Sequence, residues 1–321
     1  ETKTEPAFYY WKTTYSHSPF LSQFLKDLKI KKLYLRFFDV DWNNEQSEAM
    51  PVGELHFNSA PDTALAIVPV VYITNKTFEQ ITAPQTEQLA QHIYNKVHTM
   101  AGDQHISFFE LQLDCDWTEG TREKYFQLIR VLKERLHASG KRISVTVRLH
   151  QVKYPSRTGI PEADHGMLMF YNMGQLQSHQ RRNSIYNEQD AGKYTAFIQK
   201  YPLHLDVVLP CFSWAVHLRD NKIIGLLNKV SEHDFNLINF TSTGENTYSV
   251  NTPLFFRGEY LMKNDLLKLE QVTPQLLVKA AKQLASHIKV EERTVAIFDL
   301  DSINVVRYEK ENFEEAYNCF H

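Results

Sequence analysis

The stretch ISFFELQLDCDW (106–117) reads as a buried β-strand that ends in carboxylates. It is followed by TREKYFQLIRVLKERLHASG (121–140), which predicts a helix, and then by RISVTVRLHQV (142–152), which predicts a second strand. Apolar strands that alternate with helices are typical of a parallel sheet covered by those helices. This strand–helix–strand unit therefore sets the expected fold class as α/β.

The same alternation runs along the whole chain and gives eight predicted strands. They cover residues 8–11, 32–42, 64–73, 106–117, 142–152, 166–173, 205–214 and 293–301. The main predicted helices cover residues 19–28, 84–102, 121–140, 190–201, 273–288 and 309–317. Eight repeats favour a closed (β/α)8 TIM barrel. An open doubly wound sheet is the alternative, but no glycine-rich phosphate turn follows a strand, and the chain holds only 11 glycines.

The long connections come after strands rather than after helices, at 43–60, 173–189 and 215–271. In a barrel these loops lie at the carboxyl ends of the strands, where active sites are built. The third connection contains its own apolar runs and predicts a small β-rich insertion at 215–271. We expect a single barrel domain over 1–321 with this insertion inside it.

Composition argues against several classes of function. The net charge is only −3, so we expect neither a nucleic acid nor an anionic membrane as a partner. No apolar stretch approaches the roughly 20 residues of a membrane-spanning helix. The three cysteines and the scattered histidines show no metal-binding spacing, so we expect no metal and no cofactor. The polar opening ETKTEP (1–6) suggests a structureless tether, and we expect an exported protein, at the cell surface or in the periplasm, with a lipid anchor as one form of attachment.

Polar side chains share one face of each of two neighbouring predicted strands, because side chains alternate along a strand. The residues on these faces are Glu110, Gln112, Asp114 and Asp116 in strand four, and Ser144, Thr146, Arg148 and His150 in strand five. Apolar faces should meet the helices, so the polar faces should point into the barrel. Arg148 and His150 are expected partners for the carboxylates, since an unpaired buried charge is costly. An ion pair of Asp114 with Arg148 that only closes the barrel is the structural alternative.

Asp116 lies nearer the barrel mouth than Asp114, and two carboxylates at alternate strand positions are separated by roughly 6–7 Å. Paired carboxylates are the usual catalytic groups at a glycosidic bond. Tyr171 and Asn172 at the end of strand six, and Asp299 at the end of strand eight, are further candidates at the same mouth.

All four tryptophans follow predicted strand ends: Trp11, Trp42, Trp117 and Trp214. A barrel would gather such residues around one mouth, where sugar rings stack on aromatic faces. The tryptophans therefore predict subsites for a carbohydrate, although aromatic side chains also plug barrel ends.

These motifs resemble those of family 18 glycoside hydrolases, the chitinase group. LDCDWTE (113–119) resembles the strand-four signature of that family, MFYN (169–172) its strand-six motif, and LPCFSW (209–214) its strand-seven segment. The chain is also similar to bacterial barrel proteins classed as glycosidase-like. The resemblance implies that the substrate's own N-acetyl group attacks the anomeric carbon. A strand-four aspartate, Asp114 or Asp116, would orient that group, and Tyr171 would support the intermediate.

The sequence departs from this family at the position of its catalytic acid, which is Thr118 here, and the family's first aspartate falls at Leu111. Either a neighbouring carboxylate acts as the acid (Glu119, Glu110 or Asp299), or the barrel binds carbohydrate without hydrolysing it. A metal-dependent hydrolase built from Asp39, Asp41 and His150 is a third hypothesis.

Overall fold

The computed structural model describes residues 4–16, 18–174, 176 and 182–320. Within these residues, eight parallel strands form a closed barrel, as the sequence predicts. The strands are β1 (Thr4–Tyr10), β2 (Lys32–Asn43), β3 (Ala66–Ile73), β4 (Glu110–Asp114), β5 (Arg142–Arg148), β6 (His165–Met169), β7 (Leu205–Pro210) and β8 (Arg293–Phe298). Strand β1 pairs with both β2 and β8, and these two pairings close the barrel.

The barrel interior carries the polar face of β4, as expected from the alternation of its side chains. Tyr9 of β1 donates a 2.5 Å hydrogen bond to the side-chain oxygen of Gln112. The side-chain nitrogen of Gln112 donates in turn to the Ser144 hydroxyl at 3.2 Å. Strands β1 and β4 are not neighbours in the barrel, since β2 and β3 lie between them, so the contact of Tyr9 with Gln112 passes through the barrel interior. Leu111 and Leu113 are buried on the other face of β4.

Helices cover the barrel and match the predicted ones to within a few residues. The longer ones are Pro19–Asp27, Ala83–Asp103, Arg122–Ala138, Glu188–Ile198, Pro274–Ala285 and Lys310–Asn318, and the shorter ones are Asn75–Gln80, Leu149–Lys153, Pro155–Thr158 and Ser302–Val305. Thr82 and Gln85 form a capping box that begins the longest helix, whose Leu89, Ile93 and Val97 are buried. None of the helices in the described part of the chain has the length and apolarity to span a membrane.

A second, antiparallel sheet lies between β7 and β8. Its strands are Ser213–Arg219, Lys222–Asn228, Phe240–Gly244, Thr247–Val250 and Leu266–Gln271, and the hairpin Leu254–Phe256 with Glu259–Leu261 accompanies it. This insertion has its own core, in which the rings of Phe235 and Tyr248 stack with centroids 3.8 Å apart. It begins at Ser213, because the predicted strand 205–214 is divided into β7 and the first strand of the new sheet.

Shorter pairings complete the mouth side of the barrel. Glu48–Val52 runs antiparallel to the end of β2, and Thr14–Tyr15 pairs with His56–Phe57.

Two local expectations are wrong. Strand β1 begins at Thr4, so residues 4–6 of the opening segment, expected to be structureless, form a strand, whereas residues 1–3 lie outside the described part. Strand β5 ends at Arg148, because a short helix starts at Leu149 and the Gln151 side chain accepts from the backbone N–H of Arg148 at 2.7 Å. His150 therefore lies on that helix and is exposed, outside the polar strand face.

Candidate ligand-binding site at the barrel mouth

A cavity of about 440 Å³ lies at the carboxyl ends of the barrel strands. Strand ends and the loops after them supply most of its wall, and the insertion supplies one side of it. The lining residues are Trp11, Asp39, Tyr72, Asp114, Asp116, Arg148, Tyr171, Asn172, Phe212, Ser213, Trp214, Asn228, Lys229, Phe298, Asp299 and Asn304. The structure thus brings together Asp114, Asp116, Arg148, Tyr171, Asn172, Asp299, Trp11 and Trp214 of the predicted site residues.

Arg148 binds both strand-four carboxylates. Its Nη2 lies 3.3 Å from Oδ1 of Asp114, and its Nε donates to Oδ1 of Asp116. Thr146 also donates to Asp114. Burial raises the pKa of Asp114 and Arg148 partly opposes that rise, while the two carboxylates raise the pKa of Arg148 against the effect of burial. The predicted ion pair exists, yet the Asp116 side chain is 49% exposed and faces the cavity.

Asp299 is a second buried carboxylate of the pocket. It is buried, and burial raises its pKa to about 6, with Lys229 acting in the opposite direction. Asn304 donates a hydrogen bond to its Oδ1. No Lys, Arg or His nitrogen of the described chain lies within 4.0 Å of Asp299, whereas neighbouring Asp301 binds Lys229 at 2.6 Å and Lys12 at 3.2 Å. Asp299 is therefore a buried acid without a close counter-ion.

Aromatic rings form much of the remaining wall. Phe212 packs against Tyr171, Trp214 and Phe298 with centroid separations of 5.5, 5.4 and 5.8 Å, and Trp11 packs against Phe298 at 5.6 Å. The hydroxyl of Tyr171 is buried, which raises its pKa, and it contacts the sulfur of Met169 at 3.3 Å. Sequence reasoning missed Phe212 and Phe298, although Phe298 directly precedes Asp299 and Phe212 lies two positions before Trp214.

Two of the four tryptophans do not line the cavity. Trp117 has no exposed surface: its indole N–H donates to the carbonyl of Thr158 at 2.8 Å, and its ring packs on Tyr125. It belongs to the apolar, helix-facing side of its segment, so its prediction as a substrate-binding residue is wrong. Trp42 is half-buried in the hairpin where β2 pairs with Glu48–Val52, outside the lining residues.

The other proposed acids lie elsewhere. Glu119 is exposed and pairs with Arg157 at 3.1 Å, and it does not line the cavity. Glu110 lies at the opposite, amino-terminal end of β4, where it accepts from Ser144 at 2.6 Å and lies 3.2 Å from His165. The structure therefore places neither carboxylate in the wall of the cavity that contains Asp116.

The insertion supplies polar residues that sequence reasoning did not select: Ser213, Asn228 and Lys229. Ser213 is only 2% exposed, and its hydroxyl has no hydrogen-bond partner in the structure. Buried hydroxyls are normally hydrogen-bonded, so the Ser213 hydroxyl is available to form a hydrogen bond with a ligand in the cavity. No sequence motif marks these three residues, because their position beside the cavity depends on how the insertion sheet joins the barrel.

Two residues of the metal hypothesis are engaged in other contacts, and the third is exposed. Arg36 donates to Asp39 at 2.7 Å, Thr74 donates to Asp41 at 2.7 Å, and His150 is exposed on its helix. In the described ranges, no group of three His, Cys, Asp or Glu side chains is arranged to hold a metal ion. The metal-dependent alternative therefore has no geometric support.

No family model and no curated protein sequence matches the chain. Solved structures do match its fold. A chitinase from Chromobacterium violaceum is 12% identical with a TM-score of 0.57, covering 98% of this chain and 99% of that one. The chitinase-like agglutinin RobpsCRA from Robinia pseudoacacia is 12% identical with a TM-score of 0.56 and the same coverage.

A double mutant of a GH18 chitinase from Cycas revoluta, solved in complex with (GlcNAc)4, is 13% identical with a TM-score of 0.56, again over 98% and 99% of the two chains. At such low identity the likeness concerns the fold alone. It confirms the remote resemblance in fold to family 18 barrels that the strand-end motifs indicate, and the chain has a (β/α)8 barrel fold like theirs.

Proposed function

We propose that this protein binds a carbohydrate in the cavity at the barrel mouth and does not hydrolyse it. The composition of the cavity carries the proposal. Trp11 and Trp214 offer aromatic rings for the apolar faces of sugar units, while Asn172, Ser213 and Asn228 offer hydrogen-bonding groups for hydroxyls. Few other ligand classes need both kinds of surface in one open cleft.

The geometry of the acid position argues for binding without hydrolysis. Thr118 occupies the family's acid position, lies outside the lining residues and has its hydroxyl 3.3 Å from that of Thr121. Asp116 accepts a hydrogen bond from the Arg148 guanidinium, so one of its two oxygens is already engaged within the protein. The structural neighbours include both a chitinase-like agglutinin and a chitinase complexed with (GlcNAc)4. A sugar-binding barrel without turnover is consistent with this group.

One observation supports a second candidate, a glycoside hydrolase with a relocated acid. Asp299 lines the same cavity as Asp116, and burial raises its pKa to about 6. A carboxyl group whose pKa is raised toward neutral is the kind of group that a general acid requires. In this alternative, Asp299 would protonate the leaving oxygen.

Calorimetric binding and reducing-end release on one glycan panel, with (GlcNAc)4 included, separate these candidates. Binding by the wild type without release from any glycan is the expected result. Release that Asp299→Asn abolishes, with binding retained, would establish the hydrolase instead. A wild type that binds no glycan on the panel would overturn both.

A further inference from the structure

Trp214 occupies the central position of a cross-strand row at the barrel end of the insertion sheet. In the antiparallel register it faces Asn228 on one neighbouring strand and Glu270 on the other. Side chains directly opposite one another on a sheet lie on the same face and interact. The row therefore runs from Asn228, which lines the cavity, through the indole of Trp214 to a carboxylate behind it.

Glu270 lies at the centre of a buried hydrogen-bonding cluster. Its Oε2 accepts from the indole N–H of Trp214 at 3.0 Å, from the backbone N–H of Ser184 at 3.0 Å and from the Ser184 hydroxyl. Its Oε1 accepts from Lys268 at 2.6 Å. Glu270 is only 3% exposed, so its carboxylate oxygens are satisfied by these protein donors and not by solvent.

This carboxylate joins three parts of the chain: the first insertion strand through Trp214, the last insertion strand through Lys268, and the connection after β6 through Ser184. That connection begins beside Tyr171 and Asn172, which line the cavity. Glu270 does not line the cavity itself. It acts on a ligand only through the residues that it holds.

We propose that Glu270 is a positioning residue that fixes the orientation of the Trp214 ring, and that a bound sugar depends on this orientation. The inference rests on the proposed carbohydrate-binding function. An aromatic platform held in its binding orientation avoids the entropy cost of ordering it on binding. Without the carboxylate, the indole N–H loses its acceptor, so this hydrogen bond no longer fixes the orientation of the ring.

The first experiment uses the ligand-free full chain and does not depend on any sugar. The ¹⁵N–¹H signal of the Trp214 indole, assigned with Trp214→Phe, is compared in the wild type, Glu270→Ala and Glu270→Gln. We expect it to shift and to exchange faster with solvent in Glu270→Ala, with partial recovery in Glu270→Gln, whose amide oxygen can still accept. Asp265→Asn is the matched control, since Asp265 is a buried carboxylate of the same insertion that binds His217 and Arg219. It should leave this signal in place.

The second experiment measures (GlcNAc)4 affinity by calorimetry. Glu270→Ala should weaken binding about tenfold, whereas Asp265→Asn should bind as the wild type does. In a Trp214→Phe background, which lacks the indole N–H, Glu270→Gln should cause no further loss of affinity. If Glu270→Ala does not fold, the comparison of Glu270→Gln in the wild-type and Trp214→Phe backgrounds still tests whether Glu270 acts through Trp214.

An unchanged indole signal in both Glu270 variants would overturn the proposal. An equal loss of affinity in Asp265→Asn would also overturn it, because the loss would then reflect the stability of the insertion. A loss of affinity from Glu270→Gln that is as large in the Trp214→Phe background as in the wild type would overturn it as well. If the wild type binds no glycan, the proposed function fails, while the ligand-free spectra still decide whether Glu270 holds the ring.

Discussion

The two ends of the barrel both contain buried charged groups, but they differ in how completely those groups are paired. At the amino-terminal end, which we call the base, His165 lies 3.2 Å from Glu110 and 3.3 Å from Asp206. Asp206 also lies 3.6 Å from His204 and accepts from the backbone N–H of Thr294 at 2.7 Å. Burial raises the pKa of both carboxyl groups, but hydrogen bonds and the charges of the histidines outweigh it and lower the pKa overall.

At the mouth the pairing is incomplete. Asp114 and Asp116 share one cation, Asp299 has no counter-ion within 4.0 Å among the described residues, and the hydroxyl of Ser213 has no partner. Charged groups that are fully paired with one another stabilise the barrel. Polar groups in a cavity that lack hydrogen-bond or ion-pair partners indicate instead a place where a ligand binds. The same strand, β4, contributes Glu110 to the first kind of cluster and Asp114 to the second.

The strongest test of this contrast is the change His165→Leu. It leaves two buried carboxylates without their shared partner, so we expect the free energy of unfolding at pH 6 to fall by about 3–5 kcal/mol in chemical denaturation. The control is His137→Leu, which removes a partly exposed histidine 3.0 Å from Asp164 and should cost under about 1 kcal/mol. Similar losses in both variants would contradict a special role for the base.

The pH dependence of this effect has a defined sign. Glu110 and Asp206 raise the pKa of His165 against the effect of burial. A raised histidine pKa contributes stability that is present below the unfolded pKa and is lost as the pH rises through the folded value. The cost of His165→Leu should therefore shrink between pH 6 and pH 9. A constant cost would show that packing, and not charge, accounts for it.

At the mouth, we expect Trp214→Ala to reduce glycan affinity by about 2 kcal/mol, roughly thirtyfold. The aromatic ring lines the cavity, and its loss removes a face on which a sugar ring can pack. Trp42→Ala is the matched control, because Trp42 lies outside the lining residues and should leave the affinity unchanged. Calorimetry on the panel glycan with the highest affinity measures both, and equal losses would refute the placement of the site.

Removing a charge at the mouth should have the opposite effect on stability from removing one at the base. The raised pKa of Asp299, about 6, means that the folded protein holds this proton more tightly than the unfolded chain does. Stability conferred by the proton is therefore lost as the pH rises from about 4 to about 6. We expect Asp299→Asn to increase the free energy of unfolding by on the order of 1–2 kcal/mol at pH 7.5 and to change it little at pH 4.

Denaturant titrations at the two pH values test this expectation. A loss of stability at pH 7.5 would show that ionised Asp299 is satisfied in the fold, and the contrast between the two ends of the barrel would weaken.

The smallest effect is expected for Glu119→Gln. Glu119 and Arg157 form an exposed pair, and exposed pairs contribute little to stability. Unfolding free energy should change by less than about 0.5 kcal/mol, and both glycan binding and reducing-end release should stay at wild-type levels. Loss of release in this variant alone would restore Glu119 as an acid and refute its placement outside the pocket.

Much of the mouth was predictable, because strand periodicity determines which residues point inward. Asp114, Asp116 and Arg148 follow from it directly. The prediction that Trp117 binds substrate was wrong because it ignored this alternation. Trp117 follows Asp116 by one position, so its side chain points away from the barrel interior. Glu110 lies on the same inward face of β4 as Asp114, but it is four positions earlier in the strand. It is therefore roughly 13 Å farther from the mouth along the barrel.

The insertion's contribution could not be predicted. Ser213, Asn228 and Lys229 reach the cavity through the register of an antiparallel sheet and its junction with the barrel, and neither is encoded in a local pattern. Asp299 was selected from its place at a strand end, but its lack of a counter-ion depends on Lys229 binding Asp301 instead. Long-range pairing of this kind appears only in three dimensions.

The closure of the barrel by β1 and β8 also has a consequence during protein synthesis. Thr4 donates to the carbonyl of Phe320, 316 residues later, and β1 completes its pairing only when β8 is available. At ribosomal elongation rates, the nascent chain carries an unpaired β1 edge for roughly 15–60 s. Such edges recruit other strands, so this is the interval in which the chain is most exposed to misassembly and to capture by chaperones.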